Sequence, residues 1–170
     1  PSLSINDRTV DEDAGSATFT VTLSPTSASA ITVDYATSNG TATAGSDYTS
    51  ASGTLTFNAG DSSKTISITV ANDSLDEANE TATITLSNAS GAATSDSNGS
   101  LTITDDDASP TISINSSASI TEGDSGTSTQ NMTVTQSAVS GRDVTFNYTI
   151  TAGPATSADF NTSSGSFTIS

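Results

Sequence analysis

Acidic residues gather at four places in the first part of this chain. Asp11-Glu12-Asp13 follows a short apolar segment, and Asp47 lies within Gly45-Ser46-Asp47-Tyr48. Asp73, Asp76, Glu77 and Glu80 share the stretch from Asn72 to Glu80, and Asp105-Asp106-Asp107 follows a strand-like run. Each cluster adjoins a segment with strand patterning, so folding can bring distant carboxylates together at strand ends. Carboxylates that converge repel one another strongly at low effective dielectric unless a cation lies between them. The ion that suits such a set is Ca²⁺, which takes about six to eight hard oxygen ligands in flexible geometry, whereas Mg²⁺ demands a tighter octahedron. Asp61, Asp96 and Asp143 stand apart from these clusters and read as solvated turn positions.

Other chemistries are poorly supplied. The 170 residues include no Cys and no His, which removes disulfides, the commonest general base and the ordinary zinc ligands. Nineteen acidic residues against Arg8, Lys64 and Arg142 give a net charge of −16. That balance repels phosphate backbones and anionic lipid, so neither nucleic acid nor a membrane surface is an expected partner. No apolar run approaches the roughly 20 residues that span a bilayer, so direct membrane insertion is not expected. With no Trp and only 5% aromatic residues, there is little platform for a sugar. The acids lie beside turn residues and do not read as a glycosidase pair, so the expectation is a binding module and not an enzyme.

Strands must position these acids. Leu3 to Ile5, Ala17 to Leu23, Ile31 to Tyr35, Thr54 to Phe57, Thr65 to Val70, Thr81 to Leu86 and Ser100 to Ile103 alternate apolar with small polar residues. A period of two turns one face to a core and the other to water. Turn signals such as Asn39-Gly40, Gly60-Asp61 and Asn98-Gly99 separate the runs, and no segment sustains a helical period. Seven short strands at this spacing predict an all-β protein, an antiparallel seven-stranded β-sandwich of immunoglobulin-like type. In an up-and-down order, alternate strand ends would meet at one pole and gather the acids there.

The pattern then restarts. Pro1-Ser2-Leu3-Ser4-Ile5-Asn6 matches Pro110-Thr111-Ile112-Ser113-Ile114-Asn115, Glu12 matches Glu122, Tyr35 matches Tyr148, and Asp47-Tyr48 matches Asp159-Phe160. Ser52 to Phe57 matches Ser164 to Ile169 in the same order, at an offset of about 110 residues, the mark of a tandem repeat. The expected modules are residues 1–108 and 109–170, joined by a very short linker. The second copy reaches Ser170, where the first has reached about Asn58. This predicts an excerpt of a longer array, or completion by another chain donating about three strands. Of the acid set, the second copy keeps Glu122 and Asp159, with Asp124 nearby, and is expected to be empty or weakly occupied.

Taken in order, Val10-Asp11-Glu12, Gly45-Ser46-Asp47-Tyr48, Gly53-Thr54-Leu55-Thr56-Phe57 followed by Gly60-Asp61, the Asp73 to Glu80 loop and the closing Asp105-Asp106-Asp107 resemble the Calx-β family. This is the module of sodium–calcium exchangers and of many large extracellular adhesins. The resemblance covers residues 1–107, and 109–170 as far as they extend. It implies a seven-stranded sandwich with calcium sites at one end. It also implies Glu12, Asp47, Asp73, Glu77, Glu80, Asp105, Asp106 and Asp107 as ligands, with Glu12, Asp47 and Asp106 foremost. Asn72 stands where some members carry a carboxylate, which would weaken one ion. The function expected is that of calcium-binding spacer modules in a secreted or cell-surface adhesin, sheath or filament. Partners would be calcium ions and neighbouring modules of the same or identical chains, with a homopolymer as one form. The alternative is a calcium-sensing regulatory module of a membrane transporter or receptor.

Overall fold

The first apolar run does not continue as one strand: it changes sheets, and two short polar side chains make the change. In the computed structural model, which describes residues 1–115, 119–121, 124–151, 155, 159 and 164–170, strand β1 (Ser2–Ile5) is followed by β2 (Arg8–Asp11) in a different sheet. Asn6 Oδ1 accepts the Thr20 amide at 2.6 Å and ends the pairing of β1 with β3 (Ser16–Ser24). Asp7 Oδ1 accepts the Ser100 amide at 2.7 Å and starts the pairing of β2 with β9 (Asn98–Thr104). The sequence reading placed a single strand here, because β2 carries only Val10 as an apolar signal.

The chain divides into two compact units, one of Pro1–Ser74 with Ala78–Asp107 and one of Leu75–Glu77 with Ala108–Ser170. In the first, β4 (Ile31–Asn39), β5 (Ser52–Phe57), β6 (Ser63–Thr69), β7 (Glu80–Ser90) and β8 (Ala93–Thr94) complete two sheets. Their orders are β6-β3-β1-β8 and β2-β9-β7-β4-β5. The pairings are antiparallel except β1 with β8 and β2 with β9, which run parallel. The order therefore departs from the up-and-down arrangement expected from sequence, because the second and last strands of the unit, β2 and β9, lie side by side and parallel.

Alternation builds the core between the sheets. Ala17, Phe19, Val21 and Leu23 on β3 are buried, as are Ile66 and Ile68 on β6, Ala82, Ile84 and Leu86 on β7, and Leu101 and Ile103 on β9. Ile31, Val33, Phe57 and Tyr48 close it. Burial of each large side chain contributes about 1.5–3 kcal/mol, and in a chain this poor in apolar residues the two facing sheets share nearly all of it.

In the second unit, β10 (Ile112–Ile114) pairs with β11 (Val134–Gln136), and β12 (Val144–Thr149) pairs with β13 (Ser164–Ile169), both antiparallel. Two devices of the first unit recur. Asn115 Oδ1 accepts the Thr133 amide at 2.7 Å, as Asn6 does with Thr20. Tyr148 stands opposite Gly165 as Tyr35 stands opposite Gly53, and a Cβ on either glycine would come within 3.1 Å of the tyrosine ring. Glu122 and Phe160, which the repeat pairs with Glu12 and Tyr48, lie outside the described residues.

One surface carboxylate joins three strands. Asp34 on β4 accepts a hydrogen bond from Thr54 on β5 and another from Asn88 Nδ2 on β7, the latter at 3.0 Å. Asn88 takes φ 51 where the β4–β7 register slips, a conformation that Asn tolerates better than most residues. The hydrogen bond from Thr54, then that from Asn88, holds the Asp34 carboxyl below the usual aspartate range. A depressed pKa stabilises the fold above the unfolded-state value and loses that contribution as pH falls through the folded value. Asp34→Ala should therefore melt below the native protein at neutral pH, and the gap should close on acidification through the carboxylate range. Thermal melts of both proteins across that range measure this.

Candidate metal centre

The parallel register of β2 with β9 decides where the acids meet. Asp11 lies opposite Thr104, so both strands leave the sheet at the same end, and the next residues are Glu12 and Asp105. Thr104 Oγ1 fastens this exit by donating to Asp11 Oδ1, and it also lies 3.2 Å from the Val10 carbonyl oxygen. Glu12 opens a single 3-10 turn, Glu12–Ala14, and is 8% exposed. β7 runs antiparallel to β9 with Glu80 opposite Ile103, so its first residue starts at this same pole. β4 ends there too, with Asn39 opposite Ala82.

Glu12, Asp105 and Asp107 each bring one carboxylate oxygen to within 4.8 Å of the others. Glu12 Oε1 accepts the Asp73 amide at 2.6 Å, which ties the loop after β6 to the group, and the Asp105 amide donates to Asn79 Oδ1 at 3.3 Å. Asp107 Oδ2 is a buried atom. Burial pushes the Glu12 carboxyl above the usual glutamate range against the pull of the Asp73 amide, and the charges of Asp73, Asp107 and Asp105 push it further. Two carboxylates converging on a buried third form a set of hard anionic oxygens suited to a divalent cation.

Asp47 and Glu80 bring carboxylate oxygens within 4.8 Å of each other in a second group of the same unit. Asp47 is fixed by its own turn: its amide donates to the Thr43 carbonyl at 3.0 Å, and its Oδ2 accepts the Thr43 amide at 2.6 Å. Tyr48 is buried beside it and donates its hydroxyl to Asn39 Oδ1 at 2.7 Å.

The other expected ligands are Asp106, Asp73 and Glu77. Asp106, foremost in the sequence reading, is exposed and belongs to neither group, because residues 105 and 107 turn one way at the strand exit and 106 turns the other. Asp73 is exposed, and its amide serves Glu12. Glu77 is half-buried in the segment Leu75–Glu77, which packs within the second unit. Beside it Asp76, only 7% exposed, accepts the hydroxyls of Ser109 at 2.8 Å and Ser140 at 3.1 Å. Asp124 and Asp159 are exposed, and neither belongs to a carboxylate group among the described residues. Asp61 acts as a turn residue, accepting the Asn58 amide at 2.9 Å and pairing with Lys64 at 2.8 Å. Asp96 likewise accepts the Asn98 amide two residues on. Asn79, which the sequence reading passed over, carried no signal beyond its place in the acidic loop.

For Glu12 the sign of the pH effect is opposite to that for Asp34. A carboxyl raised in the folded state stabilises most below its unfolded pKa, and that contribution is lost as pH rises through the folded value. In chelator, the Glu12 side-chain carboxyl resonance should titrate above that of an unstructured glutamate. Glu12→Gln should gain thermal stability relative to the native protein as pH rises from the carboxylate range towards neutrality. Carboxyl-detected NMR and paired melts without divalent ions test both.

Residues 2–107 match the Calx-beta domain family. Among solved structures, the apo form of the Calx CBD1 domain is 30% identical with a TM-score of 0.59, over 62% of this chain and 97% of that one. The calcium binding domain CBD12 of CALX1.1 is 28% identical with a TM-score of 0.59, over 62% of this chain and 44% of that one. CBD12 from CALX1.2 is 23% identical and shares the fold over 99% of this chain and 71% of that one, with a TM-score of 0.62. No curated protein matches the chain. With the family matched across the strands and loops that carry both carboxylate groups, this chain belongs to the Calx-beta domain family.

Proposed function

We propose that the unit of Pro1–Ser74 with Ala78–Asp107 is a calcium-binding regulatory module. One ion site would be built on Glu12, Asp105 and Asp107, and a second on Asp47 and Glu80. The observation that carries this reading is the convergence of the Asp105 and Asp107 carboxylates on the buried Glu12, whose proton affinity is raised by burial and by its acidic neighbours. A divalent cation replaces the proton as the neutralising charge and removes the repulsion. Asp73, whose amide already reaches Glu12, supplies further negative charge at the rim.

Calcium bound here joins the end of β2, the end of β9 and the loop after β6. Without the ion, the hydrogen bonds that join these segments work against the repulsion of their carboxylates. An ion that binds the folded pole and hardly the open chain stabilises the fold by about 2.7 kcal/mol at a hundred times its dissociation constant. The module thereby converts calcium concentration into order at the chain exit after Thr104. That is the behaviour required of a regulatory element joined to a larger protein, and the likeness to the calcium binding domain of CALX1.1 supports the calcium part of this reading. The repeat of Pro1 to Asn6 at Pro110 to Asn115 favours a second reading, a spacer in a secreted or cell-surface array.

Affinity separates the two. A regulatory module should half-saturate at about 10⁻⁷ to 10⁻⁵ M calcium, an extracellular spacer at about 10⁻⁴ to 10⁻³ M. Calorimetric titration reads this directly. Millimolar Ca²⁺ should raise the melting temperature over that in chelator, with Mg²⁺ a weak substitute. Asp105→Asn with Asp107→Asn should remove most of the increase, Asp106→Asn less of it, and Asp61→Ala none. Identical melts with calcium and with chelator would overturn the assignment.

A further inference from the structure

The segments that carry Asp47 and Glu80 are joined by a hydrogen-bonded clamp in which neither carboxylate takes part. β4 ends at Asn39, but its contact with β7 continues for one more step. Thr41 Oγ1 accepts the Thr81 amide at 2.8 Å, and the Thr81 carbonyl accepts the Ala42 amide at 2.9 Å. Thr81 directly follows Glu80, and Ala42 directly precedes Thr43, whose amide and carbonyl both bind Asp47. A short path of two hydrogen-bonded pairs thus runs from one carboxylate to the other: Glu80–Thr81, Thr41–Ala42–Thr43, Asp47. Ala42 is fully buried and anchors the middle of the path, while the Thr41 and Thr81 side chains are exposed. Gly40 allows the approach, since a Cβ there would lie 2.4 Å from the Thr81 carbonyl oxygen.

We infer that Thr41 is a positioning residue for cation selectivity: through Thr81 and Thr43 it holds the Glu80 and Asp47 carboxylates at a fixed separation suited to one ion size. The inference rests on the calcium reading above. A Ca²⁺ ion binds oxygen at about 2.3–2.6 Å and Mg²⁺ at about 2.0–2.1 Å, so a pair of carboxylates held at a set spacing discriminates between them, and a loosened pair does so less. The Thr41 hydroxyl is suited to this role because it replaces a ladder hydrogen bond where the strands have begun to diverge. A side-chain acceptor at that point closes the last rung without lengthening either strand.

The test compares Thr41→Val, which keeps the shape and loses the acceptor, with Thr41→Ser, which keeps the acceptor. Both substitutions are at an exposed side chain, so the core is untouched. In the full chain, calcium and magnesium titrations are followed at the Asp47 and Glu80 carboxyl resonances, with Glu12 as internal reference, and amide exchange of Thr81 is measured in chelator. Thr41→Val should weaken calcium at Asp47 and Glu80 about fivefold, the equivalent of one hydrogen bond, and leave magnesium within about twofold. It should also speed Thr81 amide exchange and leave the Glu12 response unchanged, and Thr41→Ser should restore all of these. Native calcium affinity and an unchanged calcium-to-magnesium ratio in Thr41→Val would overturn the inference. Absence of any calcium response in the native protein would instead overturn the calcium reading on which it rests.

Discussion

The convergence of Glu12 with Asp105 and Asp107 depends on one pairing, the parallel run of β2 beside β9. An antiparallel neighbour would send the chain out of the sheet at the opposite end from Thr104 and carry Glu12 far from Asp105. Parallel neighbours need a long connection between them. Here the connection is nearly the whole unit, since β2 is its second strand and β9 its last. The sandwich is therefore closed by the two segments that bear its acids. The folding of the core and the assembly of the acidic pole are one event, because Leu101 and Ile103 enter the core from the strand that ends beside Asp105.

Closure of this kind has an electrostatic cost. Hydrophobic burial along β3, β7 and β9 draws the sheets together, and the same closure presses Glu12 into a site facing Asp105 and Asp107. Without a cation the fold must tolerate that repulsion, and the Glu12 carboxyl is raised by its burial first and by those charges second. Where the fold keeps a carboxylate ionised without such a neighbour, it does so with donors: Thr54 and Asn88 around Asp34, and Lys64 with Asn58 around Asp61. The contrast separates carboxylates that hold strands and turns together from those left facing other carboxylates. The first kind have their charge answered by the protein. The second kind need an ion from outside.

Much of the fold was legible because alternation is a direct consequence of strand geometry. Ala17, Phe19, Val21 and Leu23 could be placed on a buried face from spacing alone, and so could Ile66 with Ile68. What escaped the reading was carried by single polar residues. β2 has too little apolar content to register, and its existence depends on Asn6 and Asp7 each finding an amide across a sheet. Such bonds join residues 14 and 93 positions apart, beyond any local pattern. Four acidic clusters were legible as clusters, and Glu12 and Asp47 were recognisable in theirs. Which member of Asp105-Asp106-Asp107 turns inward was not, because that depends on the phase of β9.

That phase is nevertheless fixed by the core. Leu101 and Ile103 point inward, so the odd-numbered positions of β9 face the interior as the strand reaches its end. Continued one, two and three steps past Thr104, the alternation keeps Asp105 and Asp107 on the side of Glu12 and turns Asp106 to solvent. A run of three like charges thus acts as two groups with different tasks. The outer aspartate adds to the general negative field of the pole, and the flanking pair completes the carboxylate group. The same period of two that makes a strand amphipathic has here sorted the charges beyond its end.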